Sequence, residues 1–358
     1  MPTISSFKSR LENYFAAEGL LFLGIVEITA EPAFKHFEAW LAAKKNAGMR
    51  FLEEHLELRA NPAGILPDAK SALMFAFDYG RASLADAAKP RIARYAQFND
   101  YHKWMKTSGE RVIAKVAADS FVTENKIIFQ SRVTVDSAPI LERALADKTT
   151  AGFIGKNTCY IHPEQGSLLL LAEILVDVVL PPDDKIPVDP TQRQSRGGCG
   201  TCKRCQVHCP TGALSVDYQI DARRCISYWT IEHRGTIPEE FWPQLGEYFF
   251  GCDICQNVCP YNRGVEISDG NVPMRLPRIA DLPPLAEVAT MDQAYYERVF
   301  GGTPLTRAKR DGLRRNALIG MYVRQDAQLA AVIVQLNSDT SPVIHATLQQ
   351  IKASPLLG

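Results

Sequence analysis

Eight cysteines between Cys199 and Cys259 constrain this chain more than any other feature. The first run, Cys199-Gly200-Thr201-Cys202-Lys203-Arg204-Cys205-Gln206-Val207-His208-Cys209-Pro210, reads C-x2-C-x2-C-x3-C-P. Three thiolates on so tight a loop grip three corners of an iron–sulfur cubane, and the fourth corner faces away. Chains with this spacing carry two [4Fe–4S] clusters, and the fourth cysteine of a run crosses to the other cluster. The second run, Cys252-Asp253-Ile254-Cys255-Gln256-Asn257-Val258-Cys259-Pro260, is short by one, because Phe249 stands where its first cysteine belongs. Cys225 lies upstream and can fill that vacancy. The spacing therefore assigns one cluster to Cys199, Cys202, Cys205 and Cys259, and the other to Cys209, Cys225, Cys252 and Cys255. A pair of zinc sites also uses closely spaced cysteines, but needs neither the crossover nor the Cys-Pro ending. Cys159 stands apart and reads as a buried small hydrophobe.

The length of 358 residues predicts two or three domains. Formal net charge is zero, so any nucleic-acid surface must be local. Cysteines clustered at metal spacing point to a reducing, cytoplasmic setting rather than a disulfide scaffold. The N-terminus has no apolar segment or cleavage site of a secretory signal. The apolar run from Leu168 to Leu180 is too short to span a bilayer and is interrupted by Glu173 and Asp177.

Along the chain, Phe7, Leu11, Tyr14 and Phe15 predict a helix over 3–18, followed by a strand at Leu20–Ile28. A helix through Phe34, Phe37, Trp40 and Leu41 comes next, then a loop containing Arg59. Ala72–Phe77 and Ile127–Val135 read as strands, with one long helix over Asp100–Glu124 between them. Asp136–Asp147 reads as a turn into a helix, and Gly152–Asp177 as two strands around a turn. The first 180 residues form one α/β or α+β domain with layered helices. A Pro-rich linker follows from Pro181 to Pro190, then a cysteine domain over 190–265. Past Pro273–Pro284 comes a helical tail over 285–358. Its helices, near 304–323, 326–337 and 341–353, suggest one HEAT-like unit that must pack on the rest of the protein.

Asp136, in Thr134-Val135-Asp136-Ser137-Ala138-Pro139, sits at a predicted strand end, where catalytic groups gather. Asp136 or Ser137 could equally cap the next helix, with Pro139 in its first turn. Asp100 in Asp100-Tyr101-His102 reads as a cap or a site residue in the same way. Gly152-Phe153-Ile154-Gly155-Lys156-Asn157 is a turn whose backbone amides could approach a bulky ligand. No nucleotide-binding Gly-rich motif is present. Arg307, Arg310 and Arg314 predict one basic helix face, joined by Lys309 and Arg315, suited to phosphates or simply solvated.

Taken together, these motifs resemble the epoxyqueuosine reductases, which complete queuosine synthesis in tRNA. The resemblance rests on Val135–Pro139, Leu141-Glu142-Arg143-Ala144, Gly155-Lys156-Asn157-Thr158, the cysteine runs and Cys225-Ile226-Ser227-Tyr228-Trp229-Thr230-Ile231-Glu232. In the tail it rests on Gly302-Thr303-Pro304-Leu305 and Leu313-Arg314-Arg315-Asn316-Ala317. It implies an α+β architecture of three parts. These are an N-terminal α/β cobalamin-binding domain related to reductive dehalogenases, a bacterial ferredoxin-type domain and a HEAT-like tail. It implies a base-off cobalamin with no protein histidine on cobalt; the D-x-H-x-x-G pattern is approached only at Asp100-Tyr101-His102, where Met105 replaces the glycine. It implies Asp136 as proton donor, held protonated by its pocket. Arg59, Tyr101, Asp136, Lys156, Asn157, Ser227 and Asp253 become the cobalamin contacts. Arg307, Arg310, Arg314 and Arg315, with Lys203 and Arg204, become the tRNA contacts. An external electron donor and a monomeric state complete the expectation. The competing readings are a cobalamin reductive dehalogenase of small molecules and a non-enzymatic iron–sulfur electron carrier.

Overall fold

The computed structural model describes residues 4–80, 91–183, 198–263 and 282–354. The central sheet has four strands in the order Leu21–Glu27, Ser71–Asp78, Leu169–Val176, Ser131–Thr134, and every neighbouring pair is antiparallel. The domain is therefore α+β. The α/β alternative, which needs helical crossovers between parallel strands, does not hold. Side chains alternate across the strand Ser71–Asp78. Leu73, Phe75 and Phe77 face the helices Ile4–Ala16 and Tyr101–Ala117. Ala72, Met74 and Ala76 face the short helix Glu142–Asp147. Both faces are covered, which explains why this strand reads as an unbroken apolar run. Full burial of a side chain such as Phe75 stabilises by about 2–3 kcal/mol.

The long helix expected over Asp100–Glu124 breaks. It runs Tyr101–Ala117, and Asp119 caps a second helix, Ser120–Glu124, by accepting from Phe121 N at 2.8 Å. The Asp119 carboxylate also takes Arg10 Nε and Tyr14 Oη, each at 2.7 Å. Competition from this side-chain acceptor ends the first helix. Asp100 does cap the first helix, accepting from His102 N at 3.0 Å.

A parallel pairing of Arg91–Ile92 with Tyr248–Phe250 joins the first domain to the cysteine segment. That segment and the tail share one core. Trp242, Phe249 and Phe250 pack in it with Leu313, Ile319 and Tyr322. The expected Pro273–Pro284 boundary lies mostly outside the described residues. Among the described residues, no helix is long and apolar enough to cross a membrane.

The basic face predicted for the tail does not form. Arg307 belongs to a separate 3-10 turn, Pro304–Ala308, and the helix begins at Lys309, whose φ of 64° breaks the register. Arg314 is buried, bonded to Ala289 O at 3.0 Å and paired with Asp339. Arg315 is 0% exposed and donates to the carbonyls of Trp229 and His233 at 2.8 Å and Gly235 at 2.7 Å. Asn316 Nδ2 donates to Thr230 O at 2.9 Å and Phe249 O at 3.0 Å. Arg314 and Arg315 therefore serve the interior. Burial would be prohibitive for these polar groups if their donors were not met by carbonyls or a carboxylate.

Candidate functional site

A cavity of about 360 Å³ lies between the sheet domain and the cysteine segment. Its apolar wall includes Leu169, Leu170, Leu171 and Ile226. Of the predicted cofactor contacts, Tyr101, Asp136, Asn157, Ser227 and Asp253 line it, and Arg59 and Lys156 do not. Arg59 is buried elsewhere, donating to Phe51 O at 3.2 Å. No histidine is among the described residues of the wall.

The cysteines gather as two quartets. Cys205 and Cys259 are each electrostatic neighbours of Cys199 and Cys202. Cys252 neighbours Cys225 and Cys209, and Cys255 neighbours Cys252 and Cys225. All four of the second quartet line the cavity, and none of the first does. The first quartet sits against the Gly152–Asn157 turn, whose Lys156 N donates to Cys199 Sγ at 3.3 Å. That turn needs glycine, because a Cβ at Gly152 would lie 2.4 Å from Ile161 O. Burial pushes the Cys205 thiol up to about 11 and the Cys252 thiol up to about 12. Binding iron as thiolates therefore releases protons. Four sulfur donors in each group suit a [4Fe–4S] cubane. Cys159 is not remote: it lines the cavity beside Cys255.

Asp136 follows the strand Ser131–Thr134 and has a φ of 53°, a left-handed conformation disfavoured for residues other than glycine. It caps nothing, nor does Ser137; the next helix starts at Glu142, with Leu141 at the capping position and no side-chain cap. Tyr101 Oη donates to Asp136 Oδ2 at 2.9 Å, and His102 Nε2 lies 3.3 Å from the same oxygen. The other ring nitrogen, Nδ1, lies 2.6 Å from Asp100 Oδ1.

Burial pushes the Asp136 carboxyl up, but hydrogen bonds from His102 and Tyr101 and the Arg307 charge outweigh it, holding the group below its usual value. The hydrogen bond to Asp100, then that to Asp136, raise His102 to about 9. The expectation that the pocket holds Asp136 protonated is thus corrected: at neutral pH it is a carboxylate beside an imidazolium. Behind it lie two carboxyls displaced the other way. Burial, then Glu173 and Asp136, push Glu142 well up, and burial pushes Glu173 to about 7. Glu173 accepts from Thr134 Oγ1, while its second oxygen has no hydrogen-bond partner among the described residues.

The family model described as "4Fe-4S double cluster binding domain" matches residues 198–262, and that described as "Epoxyqueuosine reductase QueG, DUF1730" matches 59–137. An epoxyqueuosine reductase of Xanthomonas campestris pv. campestris is 34% identical over 327 residues, covering 89% of this chain and 88% of the relative. The chain belongs to the epoxyqueuosine reductase family. The Escherichia coli K12 epoxyqueuosine reductase is 33% identical over 311 residues, covering 85% of this chain and 78% of that one. An epoxyqueuosine reductase crystallised with an epoxyqueuosine-modified tRNA-Tyr stem loop superposes with a TM-score of 0.82 at 26% identity, covering 98% of this chain and 90% of that one. The Bacillus subtilis epoxyqueuosine reductase, solved with its catalytic aspartate loop swung out of the active site, gives a TM-score of 0.81 at 26% identity, covering 98% and 90%. These are oxidoreductases, and so is this chain as a member of the epoxyqueuosine reductase family.

Of the phosphate contacts predicted in the tail, Arg307 and Arg310 keep accessible charge. Arg307 pairs with Glu232 at 2.8 Å, lies over the Phe51 ring at 5.0 Å, and its charge is felt at Asp136. Arg310 pairs with Asp311 at 3.1 Å. Three residues of this site escaped sequence reasoning as chemistry. His102 reads as part of a cap, Glu142 as a helix residue, and Glu173 as a break in an apolar run. The last carried a usable signal, since a carboxylate centred in a buried strand demands an explanation.

Proposed function

We propose that this chain reduces epoxyqueuosine to queuosine at the wobble position of tRNA, with a cobalamin in the cavity, two [4Fe–4S] clusters on the cysteine quartets and Asp136 as proton donor. The observation that carries this reading is that Asp136 and the second quartet, Cys209, Cys225, Cys252 and Cys255, line the same cavity. Tyr101, Asn157, Ser227 and Asp253 would hold the cobalamin there, between a proton donor and an electron source. Both His102 nitrogens are directed at carboxylates, those of Asp100 and Asp136. When bound, the clusters supply single electrons from an external donor and the cobalamin supplies a low-valent metal centre.

The protein's own part is positional and acid–base. Leu169, Leu170, Leu171 and Ile226 exclude water, which strengthens electrostatic interactions in the cavity. Tyr101 and His102 fix the Asp136 carboxyl, and Asp136, once protonated, gives its proton to the oxygen that leaves the epoxide. Arg307 and Arg310, with Lys203 and Arg204, offer positive charge to the phosphates of an anticodon loop. Bases there are already unpaired and cheap to extrude.

Nucleoside mass spectrometry tests the reading. Reconstituted protein, cobalamin and a strong reductant are incubated anaerobically with tRNA bearing epoxyqueuosine. Loss of one oxygen from the modified nucleoside, dependent on cobalamin, is the expected result. No change, with both clusters and cobalamin bound, would move the substrate toward a small halo-organic molecule.

A further inference from the structure

We propose that His102 is the proton source for Asp136, forming with Asp100 a relay from solvent to the cavity. This rests on the reductase reading above. The reduction breaks both C–O bonds of the epoxide, forms a C=C bond and releases water, so it takes two electrons and two protons. The electrons come from the external one-electron donor through the clusters. An Asp136 that stands as a carboxylate supplies neither proton until it is itself protonated.

The geometry names the group that can do so. His102 Nε2 lies 3.3 Å from Asp136 Oδ2, and its Nδ1 lies 2.6 Å from Asp100 Oδ1. Its side chain is 39% exposed, and that of Asp136, which opens into the cavity, is 55% exposed, so the ring touches solvent and the cavity acid at its two edges. The Tyr101 ring stacks on it at 4.3 Å and fixes its plane. Tyr101 reaches Asp136 too, but burial and the neighbouring Asp136 charge push its phenol well up, so it orients rather than donates. The other ionisable groups bearing on the pair are Tyr95, Glu142, Glu173 and Arg307. Arg307 favours the Asp136 carboxylate, and Glu142, whose carboxyl burial pushes well up, faces its backbone N–H.

The steps balance. The imidazolium passes the Nε2 proton to Oδ2, leaving neutral His102 and a carboxylic acid at Asp136. Rotation of the carboxyl about Cβ–Cγ presents that proton to the epoxide oxygen. Solvent reprotonates His102 at its exposed edge, and a second pass supplies the second proton. Asp100 holds the ring in place and favours its return to the charged form between passes; it is a positioning residue, as is His102, since neither touches the reactant.

Single-turnover rates of the cluster-loaded, cobalamin-loaded protein on epoxyqueuosine tRNA are measured from pH 6 to 10 for wild type, His102→Gln and His102→Ala. Wild-type rate is expected to fall as pH rises through about 9, where His102 loses its proton. His102→Gln should be slower by roughly 10–100-fold with unchanged tRNA affinity, and should lack that alkaline limb. Added imidazole should restore His102→Ala in proportion to its protonated fraction. Wild-type rate and pH profile in His102→Gln would overturn the relay and leave the reductase reading intact. If wild type itself does not reduce epoxyqueuosine, the reading fails separately, and ring-carbon NMR still decides the coupling. A His102 titration that Asp136→Asn leaves unmoved overturns the relay. A titration that falls in that variant supports it.

Discussion

Tyr101 Oη and Asp136 Oδ2 lie 2.9 Å apart, and the bond ties the first residue of a helix to a residue whose φ is 53°. The hydrogen bonds from Tyr101 and His102 hold a carboxyl whose backbone would otherwise relax. Asparagine tolerates left-handed backbone better than most residues, so Asp136→Asn should keep the loop while losing the acid. Cluster and cobalamin content should match wild type, and single-turnover rate should fall by about 100-fold or more. Absorption spectra and nucleoside mass spectrometry check the two halves; full activity would remove Asp136 from the chemistry.

Glu173 gives a pH dependence of stability. Burial raises its folded value to about 7 from the ordinary 4.5. Between those values the unfolded chain is ionised while the folded chain keeps its proton. Stability therefore falls as pH rises from 4.5 to 7, and above 7 the full cost of a buried carboxylate is present. Glu173→Gln should remove this decline, gaining about 1–3 kcal/mol on wild type at pH 8 relative to pH 4.5. Urea midpoints at the two pH values measure it; parallel changes in both proteins would contradict the assignment.

Arg315 and Arg310 should behave as opposites. Arg315→Met leaves the carbonyls of Trp229, His233 and Gly235 without a donor inside the core. A loss of about 3–5 kcal/mol is expected. Arg310→Ala should change stability by less than about 0.5 kcal/mol, because its pair with Asp311 is partly exposed. Thermal melts of both variants make the comparison.

Docking of tRNA should weaken with salt. Replacing Arg307 and Arg310 together by alanine should reduce the slope of log affinity against log salt by roughly 1–2. Fluorescence anisotropy of an anticodon stem loop gives the slope directly. An unchanged slope would place the phosphates elsewhere.

Cys159 and Cys255 are neighbours with different expected roles. Cys255→Ser should lose about half of the bound iron, whereas Cys159→Ala should retain it. Iron analysis after reconstitution distinguishes them, and iron loss from the Cys159 variant would make it a ligand.

The elements that sequence reads well here are those whose pattern is local. Cysteine spacing marks the segment over 198–262 that the double-cluster family model matches, and the strand Ser71–Asp78 shows in its apolar run. What failed depended on distant partners. Five arginines and lysines between Arg307 and Arg315 look like a solvated face. The carbonyls and the carboxylate that draw Arg314 and Arg315 inside belong to other segments, Asp339 and Trp229–Gly235 among them. The ionisation of Asp136 was equally hidden, since it depends on His102, thirty-odd positions earlier and across two helices and a strand.

Asn316 and Arg315 grip carbonyls that lie between Cys225 and Cys252. A chain leaving the ribosome presents all eight of these cysteines before that helix has been made. For that interval the thiols hang on a segment with no buttress, open to oxidation and to stray metals. Correct metallation thus becomes a question of timing: the cluster-delivering machinery meets a finished scaffold only after the last helices have docked.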